Sequence, residues 1–253
     1  LTSKRAAFFD VDNTLIRGSV IYFLGRGMYQ RGYFTKKDIS RFVLANLRFR
    51  LTGKENTEEI QRFQDAATNF IGGHNVKEIE AIAQEIYDEY VSPAMWQGTI
   101  DITQALVAEG IEVYLVTAAP EDMAIVIANR LGLTGALGSK AEISEGTYTG
   151  RMNGPLLHGK EKAVAVTELA QQKGFDLKEC FAFSDSNNDL PLLLCVGHPS
   201  AINPDALLSL RAMAEGWPIH DFRKARFIGK AISPLVVRLA ALGTWLTPRK
   251  RRG

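Results

Sequence analysis

Cysteine is scarce in this chain: Cys180 and Cys195 are the only two thiols among 253 residues. That number excludes a disulfide framework and a cysteine metal quartet, and the pair reads as buried thiols in a reducing compartment. Long uninterrupted apolar runs are also missing. The best candidate, 227–246, is broken by Lys230, Pro234 and Arg238, so no membrane-spanning helix is expected there. Acidic residues are absent from 222–253, which holds nine Lys or Arg, and the rest of the chain is acidic by seven charges within a net charge of +2. An acidic main body argues against a nucleic-acid substrate. Leu1 to Arg5 run straight into an apolar strand, so no signal peptide is expected, and the expected location is cytoplasmic.

Apolar residues are plentiful at 46%, enough for one α/β core with a modest insertion. The most informative segment is Ala7-Phe8-Phe9-Asp10-Val11-Asp12-Asn13-Thr14-Leu15. An apolar run ending in two carboxylates at alternate positions predicts a buried strand with Asp10 and Asp12 at its C-terminal end, where open α/β sheets place ligands. Their side chains meet at one site only if the chain turns there, and Gly18 supports a turn. Two such carboxylates can divide the roles of nucleophile and general acid/base, and a hard cation lets them coexist as anions.

Three further segments support this reading. Glu112 to Thr117 predicts a strand ending in a hydroxyl, followed by Ala118-Ala119-Pro120 and a helix over Glu121 to Leu131. Thr117 and the amides opening that helix suit phosphate oxygens. Phe181 to Ser184 predicts a third strand running into Asp185-Ser186-Asn187-Asn188-Asp189, which adds two acids at the same sheet edge. Gly159-Lys160-Glu161-Lys162 opens a helix to about Lys173 and offers a cation to neutralise phosphate.

Taken in order, these four motifs resemble the haloacid-dehalogenase superfamily, and within it subfamily IB, the branch similar to phosphoserine phosphatase. The resemblance runs from about Ala6 to Pro204 and includes Tyr148-Thr149-Gly150-Arg151, similar to a hairpin that precedes the lysine in that branch. It implies a Rossmann-like core with a parallel sheet over 1–18 and 92–221. It also implies an inserted all-helical cap of the C1 type over 19–91. Helical spacing over Ile39–Leu51, Glu58–Ile71 and Val76–Tyr90 agrees with such a cap.

The same resemblance implies that Asp10 attacks phosphorus to form an aspartyl phosphate and that Asp12 is the general acid/base. Mg2+ would be held by the carboxylates of Asp10 and Asp185 and the backbone carbonyl of Asp12, an oxygen-only set suited to a small hard ion. Thr117 and a lysine would hold the phosphoryl oxygens, with Thr14, Ala118 and Asn188 as further phosphate or substrate contacts and Asp189 orienting the lysine or a metal-bound water. Lys162 lies 23 residues before Asp185, the spacing that aligns with phosphoserine phosphatases without a gap. Lys160 would need an insertion and stands as the substitute.

Two departures bear on the substrate. Phosphoserine phosphatases carry a glutamate soon after the first motif to pair with the substrate amine, and the corresponding position here is Ser19, whose hydroxyl supplies no ion pair. Arg41, Arg48 and Arg50 in the cap offer a contact for a carboxylate or second phosphate, or form a solvated helix face. The basic tail at 222–253 fits peripheral contact with an anionic membrane, or alternatively a tail that packs on the domain or is disordered. The expectation is a magnesium-dependent phosphomonoester hydrolase acting on a small phosphorylated metabolite or lipid precursor. Phosphoserine phosphatase proper, a phosphotransferase, and a catalytically silent binding protein of the same fold are the alternatives.

Overall fold

The computed structural model describes residues 4–33, 35, 40 and 71–223. Arg41, Arg48 and Arg50, most of the expected helices over 39–71, and the tail from 224 onward lie outside the described residues.

Ala6–Phe9 forms strand β1 with all four side chains buried. Burial on both faces follows from a continuous apolar run, as expected of a central parallel strand. Its neighbours are β2 (Glu112–Pro120) and β6 (Phe181–Ser184), both parallel to it. With β3 (Gly135–Ser139), β7 (His198–Ile202) and β8 (Ile219–His220), they complete a six-stranded parallel sheet of order β3-β2-β1-β6-β7-β8. The order reverses between β1 and β6. In an open α/β sheet the crevice beyond the strand ends at such a reversal is the ligand site. A separate antiparallel hairpin joins β4 (Ala141–Ser144) to β5 (Thr147–Met152), and it contains the Tyr148 to Arg151 segment.

Alternation along β1 divides the core into two layers. Ala7 and Phe9 pack with Leu115 and Phe183 and with Met123 and Ile127 of α4 (Glu121–Arg130). Leu106 of α3 (Gln97–Ala108) joins this layer. Phe9 and Phe183 stack with ring centroids 4.2 Å apart, so the two strands that carry the acidic motifs are locked side by side. Ala6 and Phe8 face the other way, toward Val166 and Ala170 of α5 (Lys160–Lys173), Leu192 and Leu193 of α6 (Leu190–Leu194), and Leu208 and Ala212 of α7 (Ala206–Glu215).

Between β1 and α3 come α1 (Val20–Gln30) and α2 (Val76–Ile86). They touch closely: a Cβ on Gly27 would sit 2.4 Å from Cγ1 of Ile86. Arg31 spans both partners with contacts of 2.9 Å to Glu85 and 3.2 Å to Glu89. The helix expected over Val76–Tyr90 is present, as α2 followed directly by a π-helical turn at Tyr87–Val91, with a 3-10 turn at Ser92–Ala94 after it. Pro93 lacks the N–H that an uninterrupted α-helix would need there. Among the described residues no helix is long and apolar enough to cross a membrane.

Gly197, between α6 and β7, passes so close to the Leu177–Glu179 turn that precedes β6 that an added Cβ would lie 1.7 Å from the Lys178 carbonyl oxygen. Backbone cannot yield there as a flexible side chain would. Gly197→Ala is therefore expected to cost about 3 kcal/mol of stability, read from the urea midpoint; an unchanged midpoint would show that the loop is less tightly packed than described.

Candidate active site

Leaving β1, the chain turns immediately. Asp10 still donates its N–H to the Phe183 carbonyl at 2.9 Å, and the amides of Leu15 and Ile16 then reach back to the Val11 carbonyl at 2.9 and 3.1 Å. Asn13 takes the left-handed conformation at φ 59°, and its side-chain oxygen accepts from the Gly18 N–H at 3.2 Å. This turn brings Asp10 and Asp12 round one crevice. Asp12 accepts from the Val20 N–H at 2.9 Å, so its carboxylate is attached to the first turn of α1, and the Ser19 hydroxyl also bonds to it.

Lys162 is 3% exposed, and its Nζ lies 2.5 Å from Asp10 Oδ1 and 2.7 Å from Asp189 Oδ2. Lys160 points outward, with a side chain 84% exposed. Gly159 sets this aim: at φ 55° and ψ −118° it turns the chain into α5 so that the third residue of the helix faces the sheet edge. Asp189 is held by a second donor, the Ser184 hydroxyl at 2.8 Å. The Thr14 hydroxyl donates to Asp10 Oδ2 at 2.8 Å and stands 3.4 Å from Asp185 Oδ1, which places Asp185 on the other flank of Asp10.

Thr117 is 2% exposed and lies two residues beyond Leu115, the partner of Phe9. Its Oγ accepts from the Ala119 N–H at 3.1 Å. The strand does not stop at Thr117, as expected from sequence, but continues through a distortion to Pro120. Ala118 is half-buried on that distortion, while Asn188 is exposed on the turn after Asp185. Three supporting contacts had no signal in the sequence. The Thr99 hydroxyl donates to the Thr14 carbonyl at 2.8 Å, Asn203 Nδ2 donates to the Asn13 carbonyl at 3.2 Å, and Ser184 donates to Asp189. A hydroxyl or amide distant in the chain shows no periodicity that would flag it.

The family model for haloacid dehalogenase-like hydrolases matches residues 7–194, a span that begins with β1 and ends with α6. The chain belongs to this family. Among its relatives is a protein named phosphoserine phosphatase from Mycobacterium tuberculosis, 48% identical over 94% of this chain and 77% of its own length. A solved structure from Bordetella pertussis Tohama I, titled as a protein of unknown function, superposes with a TM-score of 0.78 at 27% identity, covering 87% of this chain and all of the other. A phosphoserine phosphatase carrying a phospho-aspartyl intermediate analogue shares the fold, with a TM-score of 0.58 at 19% identity over 88% of this chain and 97% of its own.

Electrostatics single out the same residues of this hydrolase. Burial pushes the Asp10 carboxyl up to about 7 against the pull of Lys162, and Asp189 and Asp12 push the same way. Asp185 rises to about 8, through burial first and then the charges of Asp10 and Asp189. Burial also raises Asp12. For Lys162 the nearby carboxylates outweigh burial, and its ammonium is held well above the usual lysine range.

Crowded carboxylates of this kind suit a divalent cation, which would draw them back to the ionised form. The available donors are carboxylate and carbonyl oxygens, fitting a hard ion such as magnesium. Asp10 and Asp185, both beside the Thr14 hydroxyl, would be the carboxylates of such a set.

Lys162→Met tests this balance. The variant leaves Asp10 and Asp189 buried together without their shared cation, a type of change that costs about 3–5 kcal/mol. Since the Asp10 carboxyl is already raised, protonation relieves the crowding: in chelator, the stability loss should be large at pH 8 and smaller at pH 5.5. A loss equal at both values would contradict the charge network.

Proposed function

We propose that this chain is a magnesium-dependent phosphomonoester hydrolase that works through an aspartyl phosphate on Asp10 and acts on a small phosphorylated metabolite. The observation that carries the reading is the Lys162 ammonium, held 2.5 Å from Asp10 and 2.7 Å from Asp189 at the sheet reversal. A fixed charge there stands where a phosphoryl group arriving at Asp10 needs neutralisation, and phosphoryl transfer depends mainly on alignment and charge.

In this mechanism a carboxylate oxygen of Asp10 bonds to phosphorus while the bond from phosphorus to the leaving oxygen breaks. Asp12 gives that oxygen a proton. The raised Asp12 carboxyl favours the protonated form required. Asp12 then takes a proton from the water that attacks the aspartyl phosphate, releasing inorganic phosphate and restoring both carboxyl groups. Thr117 and Lys162 hold the oxygens that are not transferred, Thr14 and Asp189 orient Asp10 and the lysine, and Ala118 and Asn188 line the approach. Magnesium, held by Asp10, Asp185 and the Asp12 carbonyl, would supply charge neutralisation.

The segment 19–91, whose described residues include α1 and α2, is read as a cap over a core made of 1–18 and 92–221, closing on the site and keeping out bulk water. The attachment of Asp12 to the α1 amide supports this reading, because it joins the acid/base to the start of that segment. Ser19 bears on the substrate. It offers a neutral hydroxyl beside Asp12 rather than a carboxylate for a substrate amine.

Purified protein assayed against amino-acid, sugar, glycerol and lysolipid phosphates tests the proposal. Hydrolysis should require magnesium and stop in EDTA, with L-phosphoserine a poorer substrate than the best of the panel. Absence of magnesium-dependent turnover on every ester would overturn the phosphatase reading, and high selectivity for L-phosphoserine would overturn the argument from Ser19.

A further inference from the structure

Strand β2 is distorted where the phosphate-binding candidates lie. Val116 pairs with Leu137 and Pro120 with Ser139, so Thr117, Ala118 and Ala119 all stand opposite Gly138. This is an enlarged bulge, a device that re-aims side chains beside active sites. Gly138 lets β3 approach the end of β2 and the start of α4, since a Cβ at that position would lie 2.4 Å from the Glu121 Cα and 3.0 Å from the Ala119 carbonyl oxygen.

Ser139, the next residue, is 6% exposed and has no part in the mechanism above. Its hydroxyl donates to the Ala118 carbonyl at 2.8 Å and accepts from the Leu157 N–H at 3.0 Å. Ala118 directly follows Thr117. Leu157 precedes Gly159, the turn that aims Lys162. One buried hydroxyl thus uses its donor on the threonine segment and an acceptor lone pair on the lysine segment. Removing it leaves a carbonyl and an N–H in a dry place, each short of a partner.

We propose that Ser139 is a positioning residue that sets the separation of Thr117 and Lys162, so that both reach the same phosphoryl group. This inference rests on the phosphatase reading above. Ser139 does not touch substrate; it holds the bulge and the approach to α5 in register. Because transfer needs close alignment, a small drift between the two segments lowers turnover even when the fold survives.

The test compares the full chain with Ser139→Ala, Ser139→Cys, Ser139→Thr and, as a buried-serine control, Ser200→Ala on β7. Each is assayed with magnesium and p-nitrophenyl phosphate, and for inhibition by inorganic phosphate. Ser139→Ala should lower kcat about 10- to 100-fold and weaken phosphate inhibition while keeping the parent's circular dichroism spectrum. Ser139→Thr should recover most of the loss, and Ser200→Ala should match the parent. Should the alanine variant unfold, Ser139→Cys decides instead, because it keeps the volume but only a weak hydrogen bond.

Parental kcat and phosphate inhibition in a folded Ser139→Ala, or in Ser139→Cys where that variant decides, would overturn the assignment. So would a folded Ser139→Thr that recovers nothing. A parent without turnover on p-nitrophenyl phosphate and on every ester of the panel above would instead overturn the phosphatase reading and this inference with it.

Discussion

The ammonium of Lys162 is enclosed at the centre of the sheet edge, and the rest of the site is arranged around the need to compensate it. A buried charge is tolerated only when it is paired and hydrogen-bonded. Asp10 at the end of β1 and Asp189 after β6 provide that pairing from two adjacent strands, and Ser184 fixes the second of them. Yet the compensation overshoots. Asp10, Asp12, Asp185 and Asp189 bring four carboxyl groups to the neighbourhood of one ammonium, and three of them are raised by burial. A site with an excess of oxygen donors and one fixed ammonium is suited to bind a divalent cation and a phosphoryl group together.

The fold holds this cluster in place. Stacking of Phe9 on Phe183 keeps β1 and β6 in register, so Asp10 and Asp185 emerge side by side. Apolar packing of α5 through Val166 and Ala170 fixes the helix that carries the lysine. The turn from Val11 to Gly18 carries Asp12 to the amide end of α1. Packing of the two core layers therefore sets distances between charged groups, which is where stability and proposed chemistry meet.

Much of this was legible because local chemistry and long-range position agreed. An apolar run ending in Asp10 and Asp12 announces a strand and a ligand edge at once, and the spacing before Asp185, set against the resembled family, favoured Lys162 while leaving Lys160 as the substitute. The contacts that hold the site were less visible. Thr99 beneath the Thr14 carbonyl and Asn203 beneath the Asn13 carbonyl belong to segments with no local pattern of their own. The continuation of β2 to Pro120 was hidden because a bulge has no period, and Ala118-Ala119-Pro120 reads as a loop. The change from α- to π-helical bonding at Tyr87 was hidden too, because the helical spacing to Tyr90 runs through both.

The central claim, that Asp10 becomes phosphorylated during turnover, is tested most directly by acid-quenching the working protein and reducing it with borohydride before peptide mass spectrometry. Reduction converts an aspartyl phosphate to homoserine. The account predicts that change at residue 10 and at no other aspartate. Homoserine at Asp12, Asp185 or Asp189 instead, or a hydrolysing protein that yields none under conditions where the intermediate accumulates, would contradict it.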